Sequence, residues 1–170
     1  MTPTARKYRA FVDSPLGRLR LLAADVGLLG LYYPEHRHAE PKLHDEAEDA
    51  ERHPVLTQAR RELTEYFAGR RRDFETPLAP AQQRGGTDFQ RGVWRALLDI
   101  PFGQTRSYAE IARRIGRATA SRAIGAANAR NPISIFVPCH RVIGGDGSLT
   151  GYAGGIDAKR WLLALESGDV

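Results

Sequence analysis

The chain's one cysteine, Cys139, stands directly before His140 and Arg141 in the run Pro138-Cys139-His140-Arg141. A thiol beside a titratable base and a permanent cation has the surroundings of a nucleophile, because both neighbours favour thiolate over an ordinary thiol of pKa about 8.5. A free cysteine also serves as a small, inert core residue, and residue type alone leaves both readings open. With no second cysteine there is no internal disulfide and no Cys-rich zinc site, so Cys139 counts through burial or through reactivity. Adjacent side chains on extended backbone point to opposite faces, so adjacency does not guarantee a direct sulfur-to-imidazole hydrogen bond, and a bridging water would supply the link. Arg141 has two readings: it lowers the thiol pKa, or it holds the C-terminal helix through a structural contact.

The elements that must position these groups can be read outward from them. Ile133-Ser134-Ile135-Phe136-Val137 is a nearly continuous apolar run and is expected to be a buried strand that ends at Cys139. Thr87 with Gln90 and Ser107 with Glu110 are capping boxes that open helices over Thr87 to Leu98 and Ser107 to Ile115. A further helix over about Thr119 to Ala129, joined to its predecessor by a turn containing Gly116, makes a helix-turn-helix. Ala120, Ala123, Gly125, Ala126, Ala127 and Ala129 leave this second helix almost no bulk. So slim a surface suits close approach to DNA, and equally suits tight packing between helices.

Charge is unevenly spread. Residues 87–170 hold 11 lysines and arginines against 7 acids, while residues 1–86 hold 14 against 13. Between Gly103 and Arg141, Arg106, Arg113, Arg114, Arg117, Arg122, Arg130 and Arg141 face Glu110 alone. Such a block is either a solvated face or a grip on phosphates.

In the first half, strands are expected over Lys7 to Val12, Arg18 to Ala23 and Gly27 to Tyr33, an antiparallel meander punctuated by Pro15-Leu16-Gly17 and Asp25-Val26-Gly27. The charged stretch Pro34 to His53 reads as a surface connection without chemistry, and an amphipathic helix follows from Pro54 to Gly69. Arg70 to Gly86, rich in Pro, Gly, Gln and charge, is the expected linker between domains at 1–80 and 87–170. His36, His38, His44 and His53 are expected to face solvent, and no metal site is expected. No apolar run reaches the roughly 18 residues of a membrane span, and the basic start lacks a signal peptide's apolar core, which points to a cytoplasmic protein.

Pro138-Cys139-His140-Arg141-Val142-Ile143 resembles the active-site signature of the O6-alkylguanine-DNA alkyltransferases. Phe89 to Trp94, Ile100 to Gly103, Ser107-Tyr108, Arg122 to Gly125, Asn131-Pro132, Gly151 to Gly155 and Lys159 to Leu163 resemble that family in order and spacing. The likeness covers Thr87 to Glu166 and, less specifically, Ser14 to Gly17 with the strands after it. It implies a ribonuclease H-like α/β domain followed by a mainly α, winged helix-turn-helix-like active-site domain. It implies irreversible, single-turnover transfer of an alkyl group from O6-alkylguanine in double-stranded DNA to Cys139, with no cofactor.

By the same resemblance His140 is the base, acting through a water, and Glu166 orients it. Tyr108 is the donor to guanine N3, and Arg122 fills the space that a flipped base vacates. Ala123, Ala127 and Asn128 touch DNA, and the helix lies in the minor groove. Val142 offers its carbonyl to the base, Tyr152 closes over it, Ala153 contributes backbone N–H, and Asn131 braces the turn. The family's structural zinc in some members is not matched, since a second cysteine is lacking. A monomer is implied, with cooperative assembly on DNA left open. Two other classes stay in view: a non-catalytic lesion sensor or helix-turn-helix regulator, and a cysteine hydrolase. Sensors replace the reactive cysteine, and the sequence displays no oxyanion site for a hydrolase.

Overall fold

The structure, a computed structural model, describes residues 5–36 and 47–170. The chain forms two compact units, Met1–Gly85 and Gly86–Val170.

The first unit is a sheet covered by one helix. Strands β1 (Tyr8–Ser14), β2 (Gly17–Ala24) and β3 (Gly27–Tyr32) form the expected meander. The Pro15-Leu16 turn closes a hairpin with Ser14 paired to Gly17. A short strand, β4 (Glu48–Asp49), pairs in parallel with β1, giving the order β3-β2-β1-β4. The sequence had offered only a connection there, because two exposed acids carry no apolar alternation. Helix α1 (Pro54–Phe67) starts with proline in its first turn and lies across β1, β2 and β3, burying Leu56, Ala59, Leu63 and Tyr66. Each large side chain buried this way stabilises the unit by roughly 1.5–3 kcal/mol.

Glu62 shares that buried face because its carboxylate is fully used. It accepts from Gln58 Nε2, the amides of Glu75 and Thr76, and the Thr76 hydroxyl at 2.9–3.2 Å. Burial alone would raise its pKa, but these donors more than offset burial and hold the carboxyl below its usual range. His53, expected in solvent, instead stacks on Tyr8 with ring centroids 4.4 Å apart and contacts Asp25 Oδ1 at 3.2 Å. His38 and His44 lie outside the described residues.

The second unit is mainly helical. Helices α2 (Asp88–Leu97) and α3 (Tyr108–Arg114) both start with the complete capping boxes read from sequence, at Thr87 and Ser107. Gly116, at φ 74°, supplies the left-handed turn after α3, and α4 (Ser121–Ala129) then packs against both α2 and α3. A two-stranded parallel pairing joins β5 (Arg106–Ser107) to β6 (Val142–Ile143), so the start of α3 is tied to the residues just beyond Cys139. Helix α5 (Ile156–Ser167) closes the unit and contacts the turn carrying Cys139.

Candidate active site

The apolar run before the cysteine is a folded-back turn, not a strand. The Val137 amide donates to Ile133 O and the Phe136 amide to Ser134 O, both at 3.0 Å, with Ile135 at φ 75°. A β-branched residue there costs on the order of 1–3 kcal/mol and persists only when its surroundings impose it. Asn131 does so from both ends: its Nδ2 donates to Val137 O at 2.9 Å and its Oδ1 accepts from the Ile133 amide at 3.1 Å. One consequence is that the fully buried Ser134 returns to the cysteine, its Oγ 4.0 Å from Cys139 Sγ.

Cys139, His140 and Arg141 form a 3-10 turn, so alternation on extended backbone does not apply to them. His140 is fully buried, and its Nε2 contacts Glu166 Oε1 at 2.8 Å. Arg141 grips the same carboxylate with two nitrogens, Nη2 at 2.8 Å from Oε1 and Nε at 2.9 Å from Oε2, and sends Nη1 to Ile100 O at 2.6 Å. Of its two readings, the structural contact with the C-terminal helix is the one these distances describe.

Burial would raise the Glu166 carboxyl, yet hydrogen bonds from His140 and Arg141, with the Arg141 charge, bring it down to about 2. Burial also lowers the His140 pKa, which leaves the imidazole neutral at ordinary pH. With Nε2 engaged by Glu166, Nδ1, which is buried and has no hydrogen-bond partner among the described residues, is the nitrogen available for a proton.

The cation that acts on the sulfur is Lys159. It is 0% exposed on α5, with Nζ donating to Thr150 O at 2.9 Å and lying 5.9 Å from the centre of the Tyr108 ring. Burial lowers its pKa to about 8, while the sulfur's charge works to raise it. Burial pushes the Cys139 thiol up, and hydrogen bonds from Asn131 and Ser134 together with the Lys159 charge offset only part of that.

Neither Lys159 nor Ser134 was assigned a role from sequence. A signal for Lys159 existed: Lys159, Leu162 and Glu166 recur at helical spacing and are all buried, which puts two opposite charges on an apolar face. Ser134 carried no such signal, because its approach to the sulfur depends on the turn.

Tyr108 opens α3 with its hydroxyl donating to Thr150 O at 3.1 Å. Burial raises its pKa, which keeps it a protonated donor. Tyr108, Ser121, Arg122, Gly125, Thr150 and Gly151 line an open recess of about 350 Å³. Tyr108 and Arg122 thus share a recess, and Ala123 is exposed on the next residue of α4.

Ala127 and Asn128, expected to touch DNA, face the interior. The Ala127 carbonyl accepts from Trp94 Nε1 at 2.8 Å, and Asn128, 1% exposed, donates from Nδ2 to Cys139 O at 3.1 Å. The helical period turns both toward α2 and the cysteine turn, leaving Arg122, Ala123, Ala126 and Arg130 outside. Val142, Tyr152 and Ala153 are buried, and Val142 pairs with Arg106 in the β5–β6 ladder.

Two family models match the chain. Residues 7–80 match the ribonuclease-like domain of 6-O-methylguanine DNA methyltransferase, and residues 88–168 match its DNA-binding domain. The chain belongs to this family. Among the 6-O-methylguanine DNA methyltransferase relatives, the methylated-DNA–protein-cysteine methyltransferase of Methanosarcina acetivorans is 48% identical over 159 residues, 94% of this chain and 97% of that protein. The constitutive enzyme of that name from Bacillus subtilis is 41% identical over 160 residues, 94% of each chain. The solved O6-methylguanine methyltransferase of Mycobacterium tuberculosis superposes with a TM-score of 0.84 at 45% identity, covering 96% of this chain and 94% of that one. A structure of the Mycobacterium tuberculosis protein in complex with DNA gives the same TM-score at 44% identity, with the same coverage. The family's two-domain order, ribonuclease-like then DNA-binding, is therefore this chain's order.

Proposed function

We propose that this protein repairs DNA directly, by moving an alkyl group from the O6 of a damaged guanine in duplex DNA onto Cys139, once per molecule. The observation that carries this reading is the buried relay in which Glu166 holds His140 by Nε2 beside the one thiol of the chain. It is the nucleophile, base and orienter arrangement of covalent catalysis.

His140 Nδ1 takes the thiol proton through a water, and Lys159 balances the thiolate. The sulfur attacks the alkyl carbon in line; the S–C bond forms as the C–O6 bond breaks, and the electron pair departs with guanine. Tyr108 turns its hydroxyl from Thr150 to guanine N3, where charge develops, so it stabilises the transition state more than the ground state. The departing guanine takes up one proton, which balances the one lost by the thiol. The product is a neutral thioether that no group in the relay can cleave, so the protein acts once and needs no cofactor.

Reaching O6 inside a stacked duplex requires extruding the base, at a cost of a few kcal/mol. The recess between Tyr108 and Gly151 suits the flipped base, and Arg122 on its rim suits the gap left in the stack. Each chain carries the full relay, in keeping with action as a monomer, and a reducing cytoplasm would keep Cys139 as a thiol.

Intact-protein mass spectrometry after incubation with duplex DNA containing O6-methylguanine tests this, with Cys139→Ser as control. One methyl per protein, mapped to Cys139 and absent from the control, is expected. Lesion binding with unchanged protein mass would overturn the proposal in favour of a sensor.

A further inference from the structure

Ser134 is fully buried, and among the described residues the sulfur of Cys139 is the one hydrogen-bond partner of its hydroxyl. A buried hydroxyl ordinarily finds a carbonyl or a second polar side chain, because leaving it on a poor partner is costly. Here the contact is at 4.0 Å, and the partner is a cysteine thiol, a weak donor and weak acceptor. The arrangement is held by backbone in an unfavourable conformation: Ile135 sits at φ 75° so that the chain reverses and Ser134 comes alongside Val137. Asn131 clamps both ends of that reversal. A turn held this firmly around a weak contact makes sense if the contact becomes strong in another charge state of the sulfur.

We infer that Ser134 is a positioning residue for the alkyl transfer, its hydroxyl turning to donate O–H···S⁻ when Cys139 ionises and orienting the thiolate for attack. The inference rests on the alkyl-transfer reading for its purpose, though not for its geometry. The serine keeps its proton throughout. When the S–C bond forms, the sulfur becomes a neutral thioether and the hydrogen bond weakens to that of an uncharged acceptor. A charge-assisted bond of this kind is about twice as strong as a neutral one.

Burial raises the thiol pKa, so a donor that favours thiolate acts against that trend, as does the Lys159 charge. The other titratable or charged groups around the sulfur are His140 on the same turn, Lys159 on α5 and Tyr108 on α3, with Glu166 and Arg141 behind the imidazole. None of these is removed when Ser134 is changed.

Because the chain has one cysteine, its thiolate can be followed directly by ultraviolet absorbance against pH, with Cys139→Ser as the blank and no DNA present. For Ser134→Ala the midpoint of thiolate formation is expected to rise by about one pH unit. The rate of methyl transfer from O6-methylguanine DNA below that midpoint is expected to fall about tenfold. Ser134→Gly, which removes the hydroxyl without adding volume, gives the same reading independently, and Ser134→Thr, which keeps a hydroxyl, is expected to retain the wild-type midpoint. Circular dichroism reports that each variant is folded. A folded Ala or Gly variant with the wild-type thiolate midpoint overturns the inference, as does a Thr variant displaced as far as Ala. A shifted midpoint in a protein that never acquires a methyl group would leave the role of Ser134 on the thiolate intact and sink the alkyl-transfer reading instead.

Discussion

His140 Nε2 and Glu166 Oε1 lie 2.8 Å apart where neither side chain is more than 1% exposed, and Arg141 binds both oxygens of the same carboxylate. One acid therefore holds the imidazole and neutralises a buried guanidinium. Glu166→Gln removes the charge while keeping the shape, so it is expected to slow methyl transfer by about 10²-fold, within the range of general acid–base contributions. It also leaves Arg141 without a counter-charge, at a cost of about 3–5 kcal/mol for a broken buried pair. Single-turnover rates and denaturant melts measure the two effects separately; a variant that is destabilised but repairs at the wild-type rate would remove Glu166 from the relay.

The same carboxylate sets an acid limit. It ionises at about 2 when folded and near 4.3 when unfolded, so as pH falls the unfolded chain binds the proton first. Its stabilising contribution is complete above about pH 5 and is lost as pH drops through roughly 4 toward 2. Melting temperatures across that window are expected to fall more steeply for wild type than for Glu166→Gln, and equal slopes would contradict this.

Lys159 also makes stability rise with pH, but here it is the charged form that burial disfavours. Its pKa of about 8 lies below the unfolded value near 10.4, so the unfolded chain binds more protons between those values and stability from this group rises with pH there. At neutral pH the buried ammonium is a cost. Lys159→Met is expected to stabilise the second unit by on the order of 1 kcal/mol, net of the lost bond to Thr150, while slowing alkylation of Cys139 at pH 7. A variant both less stable and equally fast would contradict the assignment.

Asn128 distinguishes a buried brace from a DNA contact. Asn128→Ala removes one of two donors to the Cys139 carbonyl, the Val142 amide being the other, and is expected to cost about 0.5–1.5 kcal/mol of stability with little change in affinity for undamaged duplex. Fluorescence anisotropy and thermal melts together decide; weakened DNA binding at unchanged stability would restore the surface role that the family resemblance implied.

Arg122 tests extrusion of the base. Arg122→Ala is expected to reduce repair of duplex DNA by about 10–100-fold while leaving transfer from the free O6-alkylguanine base close to wild type, since the free base bears no stacking cost. Equal losses on both substrates would mean that Arg122 acts on the thiol chemistry itself.

Much of this arrangement was legible in the residues. The meander, the helix opening at Pro54 and the capping boxes at Thr87 and Ser107 follow from alternation, helical period and local hydrogen bonding, which act over a few residues. The signature around Cys139 likewise drew attention to the proposed nucleophile and base, because those groups are adjacent in the chain. Four features were decided by tertiary structure alone: the reversal at Ile135, the inward face of Asn128, the burial of Lys159 with its Nζ on Thr150 O, and the return of Ser134 to Cys139. An apolar run such as Ile133 to Val137 is buried equally well as a strand or as a turn, so its pattern does not choose between them. The choice is made by Asn131, whose amide closes the turn, and by α4 and α5, which supply the buried partners that only a folded chain brings together.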